Sequence, residues 1–155
     1  MATYHAMDSM TKLDKKKLKE TFKNLGRKYP SIQLAYLHGS YVQGRPTSFS
    51  DVDIALVLDD SALKKGCWDL EMDIEYFLEE TFKGFDFDVR AMNKAPLDFQ
   101  GKVITEGERL YVARDLFRAD YEEKMRKLYF DFKPFVDAYC NERWRTIKEQ
   151  GLMHG

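Results

Sequence analysis

Residues 38–58 run His38-Gly39-Ser40-Tyr41-Val42-Gln43-Gly44-Arg45-Pro46-Thr47-Ser48-Phe49-Ser50-Asp51-Val52-Asp53-Ile54-Ala55-Leu56-Val57-Leu58, and their reading decides the fold. Val52 to Leu58 is rich in β-branched and aliphatic residues, which predicts a buried strand. Asp51 and Asp53 stand at i and i+2 at its start, so both side chains leave one face, their Cα atoms about 6.6 Å apart at ~3.3 Å per residue. Two carboxylates so placed repel each other and are costly beside an apolar strand unless a cation joins them. Magnesium prefers carboxylate oxygens and keeps positions open for phosphate, which makes it the natural partner. Gly39-Ser40 follows another apolar run, Ile32 to Leu37, a second expected strand. Glycine lets backbone approach a ligand closely, a helix starting near Ser40 would aim free N–H groups at an anion, and the serine hydroxyl adds one more bond. Taken alone, Gly-Ser is a turn and Asp-x-Asp a solvated strand start. Together they make a phosphate cradle facing a metal-binding pair, the minimal apparatus of phosphoryl or nucleotidyl transfer.

Outward from this stretch the elements alternate. From Thr11 to Tyr29, Leu18, Phe22, Leu25 and Tyr29 recur at helical steps, with Gly26 and Pro30 marking the end; the run Lys15-Lys16-Lys17 is a solvated face. Leu70, Ile74, Phe77, Leu78 and Phe82 predict a second helix closed by Gly84. Phe85 to Met92 alternates apolar and polar, the period of a strand with one apolar face. Pro96 opens a short helix, Gly107 ends it, and Arg109 to Val112 forms a last strand. Beyond it, Tyr121, Met125, Leu128 and Phe132 form a helical stripe, and Pro134 starts or kinks a further helix carried on by Phe135, Tyr139 and Ile147. The order predicts an α/β (α+β) fold with a small mixed sheet flanked by helices and a C-terminal helical extension. Residues 1–10 form a disordered lead, and 11–155 one domain with its core about 30–112 and helices about 114–150. The aromatic stripe of the tail reads as core packing, a partner surface being the sharper alternative.

A third carboxylate is available at Asp88, as proton acceptor or as holder of a second metal, and Asp86 shares its face, so spacing alone does not choose between them. Arg90 reads as an ion-pair partner of these acids rather than a triphosphate contact, and His38 as a packed histidine. The 155 residues carry 25 basic and 26 acidic side chains, net −1, with no basic excess that would suggest direct nucleic-acid binding. No apolar run approaches the roughly 18 residues of a membrane span, and the N-terminus lacks the apolar stretch of a signal peptide. Cys67 and Cys140 form no metal or disulfide pattern and are expected as two buried thiols in a reducing cytoplasm.

Gly39-Ser40, ten intervening residues and then Asp51-Val52-Asp53 resembles the signature of the DNA-polymerase-beta-like nucleotidyltransferase superfamily, and the short chain is similar to its minimal nucleotidyltransferases. Phe87-Asp88-Val89 followed by Met92-Asn93-Lys94-Ala95-Pro96 resembles the family's third-strand segment, a register that favours Asp88 over Asp86. Glu106-Gly107-Glu108-Arg109-Leu110-Tyr111 is similar to the family's ending of the core, so the likeness covers roughly Ile32 to Val112. His38 departs from the aromatic or aliphatic residue usual before Gly-Ser, Pro46 and Phe49 make the loop stiffer and more apolar, and Arg90 replaces a commoner apolar residue. The resemblance implies a nucleotidyltransferase fold in which Gly39 and Ser40 hold the triphosphate of ATP or another NTP, Asp51 and Asp53 bind Mg²⁺, and Asp88 completes the site. It further implies an antitoxin that transfers AMP to a tyrosine of a HEPN-type toxin; the sequence leaves the oligomeric state open, a homo- or hetero-oligomer included. Two rivals remain: the same chemistry on a small molecule such as an aminoglycoside, and a binding module that neutralises its partner by contact alone.

Overall fold

A computed structural model describes residues 12–153; the expected N-terminal lead and His154 lie outside the described residues. Helix α1 (Lys15–Lys28) starts at Asp14, whose side chain accepts the Lys17 N–H at 3.0 Å. Its stripe of Leu18, Phe22 and Leu25 is fully buried. Strand β1 (Ile32–His38) leads into the four-residue helix α2 (Ser40–Gln43), and β2 (Val52–Leu58) returns antiparallel to β1. Helices α3 (Asp60–Lys65) and α4 (Trp68–Thr81) then cross over to β3 (Phe87–Ala91), which lies parallel to β2. Helix α5 (Leu97–Glu106) carries the chain to β4 (Glu108–Val112), antiparallel to β1, and α6 (Asp115–Met153) ends the fold.

The sheet order is β3-β2-β1-β4, a mixed sheet with β1 and β2 at its centre. Helices cover both faces, which is why these two strands read as near-continuous apolar runs rather than alternating ones. Leu18, Phe22, Ile74 and Leu78 of α1 and α4 pack with Ala35, Leu37, Ile54 and Leu56 on one face. On the other face Val103 and Ile104 of α5, with Phe117, Tyr121 and Met125 of α6, pack on Leu34, Tyr36, Ala55 and Val57. That assignment is the period of two made visible: Tyr36 and Ala55 face α5 and α6, and so do the polar residues that extend the same rows, His38 and Asp53.

Four expectations are corrected. Gly26 does not end α1, which runs on to Lys28; it sits beneath the Tyr111 ring of β4, where a Cβ would overlap the ring atoms. The C-terminal region is one 39-residue helix, not two, with Pro134 inside it. Proline removes a single N–H from the ladder, and at an exposed position the freed carbonyl stays hydrated, so the helix continues. Lys15 is not simply solvated, because it and Lys19 reach Glu108 on β4 at 3.1 and 3.2 Å. Cys67 is half-buried and Cys140 lies exposed on α6, so the expected pair of buried thiols is not formed. The short helix α3 was not expected; its signal is Asp59, whose carboxylate caps the Ala62 N–H at 2.9 Å.

Candidate active site

The end of β1 and the starts of β2 and β3 meet at one edge of the sheet. Register sets the residues side by side there: His38 pairs with Asp53, and Asp53 with Asp88. Directly paired residues share a face, so the three form a row across three strands on the α5 and α6 side. Asp51, two residues before Asp53 and exposed, extends the row toward solvent. Asp86 lies ahead of β3 and is exposed; its backbone oxygen accepts the Val52 N–H at 2.8 Å. The register therefore sets Asp88, not Asp86, opposite Asp53.

Gly39 is held at φ +77°, ψ −151°, a region that side chains with a Cβ avoid. The reason is local. A Cβ at this position would run into the Asp53 carboxylate, so the glycine is what lets β1 turn into α2 while the acid lies against its backbone. Ser40 opens α2, and the N–H groups of Val42 and Gln43 both return to the Gly39 carbonyl at 3.1 Å. The loop from Gly44 to Ser50 is closed by a Thr47-Ser50 turn, with the Thr47 N–H donating to the Ser50 Oγ at 2.8 Å, and holds Phe49 94% exposed.

Electrostatics follow from this crowding. Burial raises the Asp53 carboxyl above the usual carboxylate range, and the negative charges of Asp88 and Asp51 raise it further. Burial pushes the His38 imidazole down, against the opposing pull of Asp88, and the ring sits edge-on to Phe99 with centroids 5.4 Å apart. Asp88 accepts from Arg90 Nε at 3.0 Å, the ion pair expected of Arg90. Asp51 and Asp53 make no ion pair among the described residues, so the charges of Asp51 and Asp88 bear on Asp53 without a cation of its own.

A half-buried carboxylate beside an exposed one, neither with a cationic partner among the described residues, fits a hard divalent cation. Among the described residues no three of His, Cys, Asp and Glu form a ready cage for a metal. Magnesium does not require one, because it keeps several water or phosphate oxygens and takes only one or two carboxylates.

Sequence reasoning missed the supports. Asn93 clamps the end of β2, its Oδ1 accepting from the Leu58 N–H and its Nδ2 donating to the Leu58 oxygen, both at 2.9 Å. Glu71 and Glu79 of α4 accept the Ala91 and Phe87 N–H groups of β3 at 2.8 and 3.2 Å. With Glu75 beside the Val89 N–H, they form an i, i+4, i+8 row that satisfies an otherwise open sheet edge. That spacing was visible in the sequence; its purpose was not, because nothing there shows that α4 lies alongside the edge of β3.

Residues 16–115 match the Polymerase beta, Nucleotidyltransferase family, and the chain belongs to it. Within that class, it is 32% identical over 82 residues to the protein adenylyltransferase MntA of Shewanella oneidensis, a segment covering 53% of this chain and 55% of that protein. The chain thus spans little more than half the length of this curated relative. Among solved structures, it is similar to a toxin–antitoxin MntA–HpeT mutant, with TM-score 0.61, 23% identity, and 81% of this chain and 98% of that one covered. A toxin–antitoxin structure with AMP-PNP gives 0.59, 24%, 81% and 98%. The tri-AMPylated HEPN toxin of Shewanella oneidensis in complex with MNT antitoxin gives 0.59, 21%, 84% and 99%. These likenesses show the fold: a four-stranded mixed sheet flanked by helices, with a C-terminal helix. Among the described residues no helix is long and apolar enough to cross a membrane.

Proposed function

We propose that this chain is a protein adenylyltransferase that moves AMP from ATP to a tyrosine of an all-helical HEPN-type toxin, and so acts as its antitoxin in the cytoplasm. The observation that carries the reading is the row His38, Asp53, Asp88 across three strands, closed against Gly39 at the end of β1. Family membership and the 32% identical adenylyltransferase support the reaction class.

In this reading Asp51 and Asp53 hold Mg²⁺, with Asp88 at its margin, while Gly39 and Ser40 seat the phosphates. Bound there, Mg²⁺ supplies positive charge to phosphate oxygens and so offsets the repulsion among the acids. Asp53 lies against the Gly39 backbone, which sets the phosphate seat beside the carboxylates. The acceptor oxygen forms a bond to the α-phosphorus, and the bond from that phosphorus to the β-phosphate oxygen breaks with its electron pair leaving on pyrophosphate. Asp88 takes the hydroxyl proton on the carboxylate oxygen that Arg90 does not engage. A protein acceptor is supported by α6, where Phe132, Phe135 and Tyr139 share one side of the helix and are 49%, 72% and 62% exposed, an apolar face of the kind that marks interfaces.

The test is incubation with α-³²P-labelled ATP and Mg²⁺, with and without the product of the neighbouring gene. Label passes to that partner, and Asp51→Ala-Asp53→Ala abolishes it. An unlabelled partner alongside a labelled aminoglycoside would overturn the choice of acceptor. Full neutralisation in cells by the double variant would favour a contact-only antitoxin.

A further inference from the structure

The carboxylates belong to β2 and β3, whereas β1 and α2 stand on the opposite side of Asp53. A triphosphate whose α-phosphorus lies at the carboxylates and whose next phosphate lies on Gly39 therefore points its far end toward the β1 side of the sheet. A cavity of about 150 Å³ opens there, walled by His38, Gly39, Gln43, Phe99, Lys102 and Glu106 among others. Gly39, whose backbone lies against the Asp53 carboxylate, is part of this wall, so the cavity adjoins the carboxylate row across that one residue.

Charge singles out one residue in it. Asp51, Asp53 and Asp88 bring three negative charges to an already anionic substrate, and α2 carries no basic side chain. Lys102, carried by α5, is the lysine or arginine on the cavity wall, and it also borders a second cavity between α5 and α6. Among the described residues its ammonium forms no ion pair, not even with Glu106 one turn on. Lysine serves phosphate as a compact point charge with three donors and needs no fixed fork geometry.

We propose that Lys102 binds the terminal phosphates of the NTP and stabilises pyrophosphate as it leaves. The inference rests on the transferase reading and adds the leaving-group site to it. As the bond between the α- and β-phosphates breaks, its electron pair ends on pyrophosphate, and the Lys102 charge stands where that negative charge grows.

The experiment is calorimetric titration of full-length wild type, Lys102→Gln and Lys102→Arg with Mg-ATP, Mg-pyrophosphate and AMP. Lys102 is exposed, so neither substitution disturbs packing, and equal thermal midpoints check this. The Gln variant loses about tenfold or more in affinity for Mg-ATP and Mg-pyrophosphate, holds AMP within about twofold, and the Arg variant recovers most of the loss. Unchanged Mg-ATP affinity in Lys102→Gln overturns the assignment. Equal weakening for ATP and AMP also overturns it, because it would place the lysine at the nucleoside end. A wild type that binds neither Mg-ATP nor AMP fails the transferase reading itself, and the inference with it, an outcome distinct from the other two.

Discussion

Asp53 shows how one residue can be set against the stability of its own fold. Burial and two neighbouring carboxylates push its carboxyl up, so its ionised form costs free energy in the folded chain. The sign is fixed by linkage: an acid whose folded pKa lies above its unfolded one penalises folding at any pH above the folded value. The penalty shrinks as pH falls through that value and is gone below the unfolded one. Asp53→Asn keeps the size of the side chain and removes the charge. It is expected to raise the metal-free thermal midpoint at pH 7 and to lower AMP transfer by at least about 10²-fold. Differential scanning calorimetry without divalent cations checks the first half, and a transfer assay the second. A lower midpoint would mean that the carboxylates are not in mutual repulsion.

At the scale of elements, two ion-paired glutamates dock helices on the sheet, with unequal weight. Glu122 of α6 is 1% exposed; it accepts the Tyr36 hydroxyl at 2.8 Å and pairs with Arg118, Arg109 and Arg126 at 3.1, 3.3 and 3.5 Å. Burial and this hydrogen bond both raise the Tyr36 hydroxyl far above its ordinary value. Glu122→Ala strands that buried hydroxyl, while the partly exposed arginines turn to water, and is expected to cost about 1–3 kcal/mol in a urea denaturation. Glu108 of β4 is one-third exposed and ties α1 to the sheet. Burial alone would raise its carboxyl, but the hydrogen bonds and charges of Lys15 and Lys19 outweigh it and hold the group below the usual glutamate range. A depressed acid contributes stability above its unfolded pKa and loses it as pH falls through the lower folded value. Glu108→Gln is therefore expected to cost at most about 1 kcal/mol at pH 7 and nothing once the pH is below that folded value, read from melts across the acid range.

For the whole molecule, the long C-terminal helix divides into two halves of different character. Up to Tyr129 it turns buried or half-buried residues toward α5 and β1, among them Tyr121, whose hydroxyl donates to Gln100 at 2.6 Å. From Tyr139 to Gly151 every residue is exposed. Truncation after Tyr139 is expected to leave the unfolding free energy within about 0.5 kcal/mol of the full chain, because it removes almost no buried surface. A loss of several kcal/mol would show that this half packs on the body. The expectation that the tail aromatics are core packing holds for Tyr121 and fails for Phe132, Phe135 and Tyr139, which are exposed.

How much of this was legible beforehand depends on the range of the physics involved. Local patterns were enough for the strands at 32–38 and 52–58, the helices that flank them, and the nomination of Gly39, Ser40, Asp51 and Asp53, because periodicity and i, i+2 spacing act within a few residues. The partner of those acids was not local. Asp86 and Asp88 share a period, and only the parallel register of β3 with β2 sets Asp88 opposite Asp53. The purpose of Gly39, the glutamate row along β3 and the meeting of Lys102 with the cradle also waited on tertiary structure. Each joins elements far apart in the chain, and their approach is decided by which faces the sheet and helices bury together.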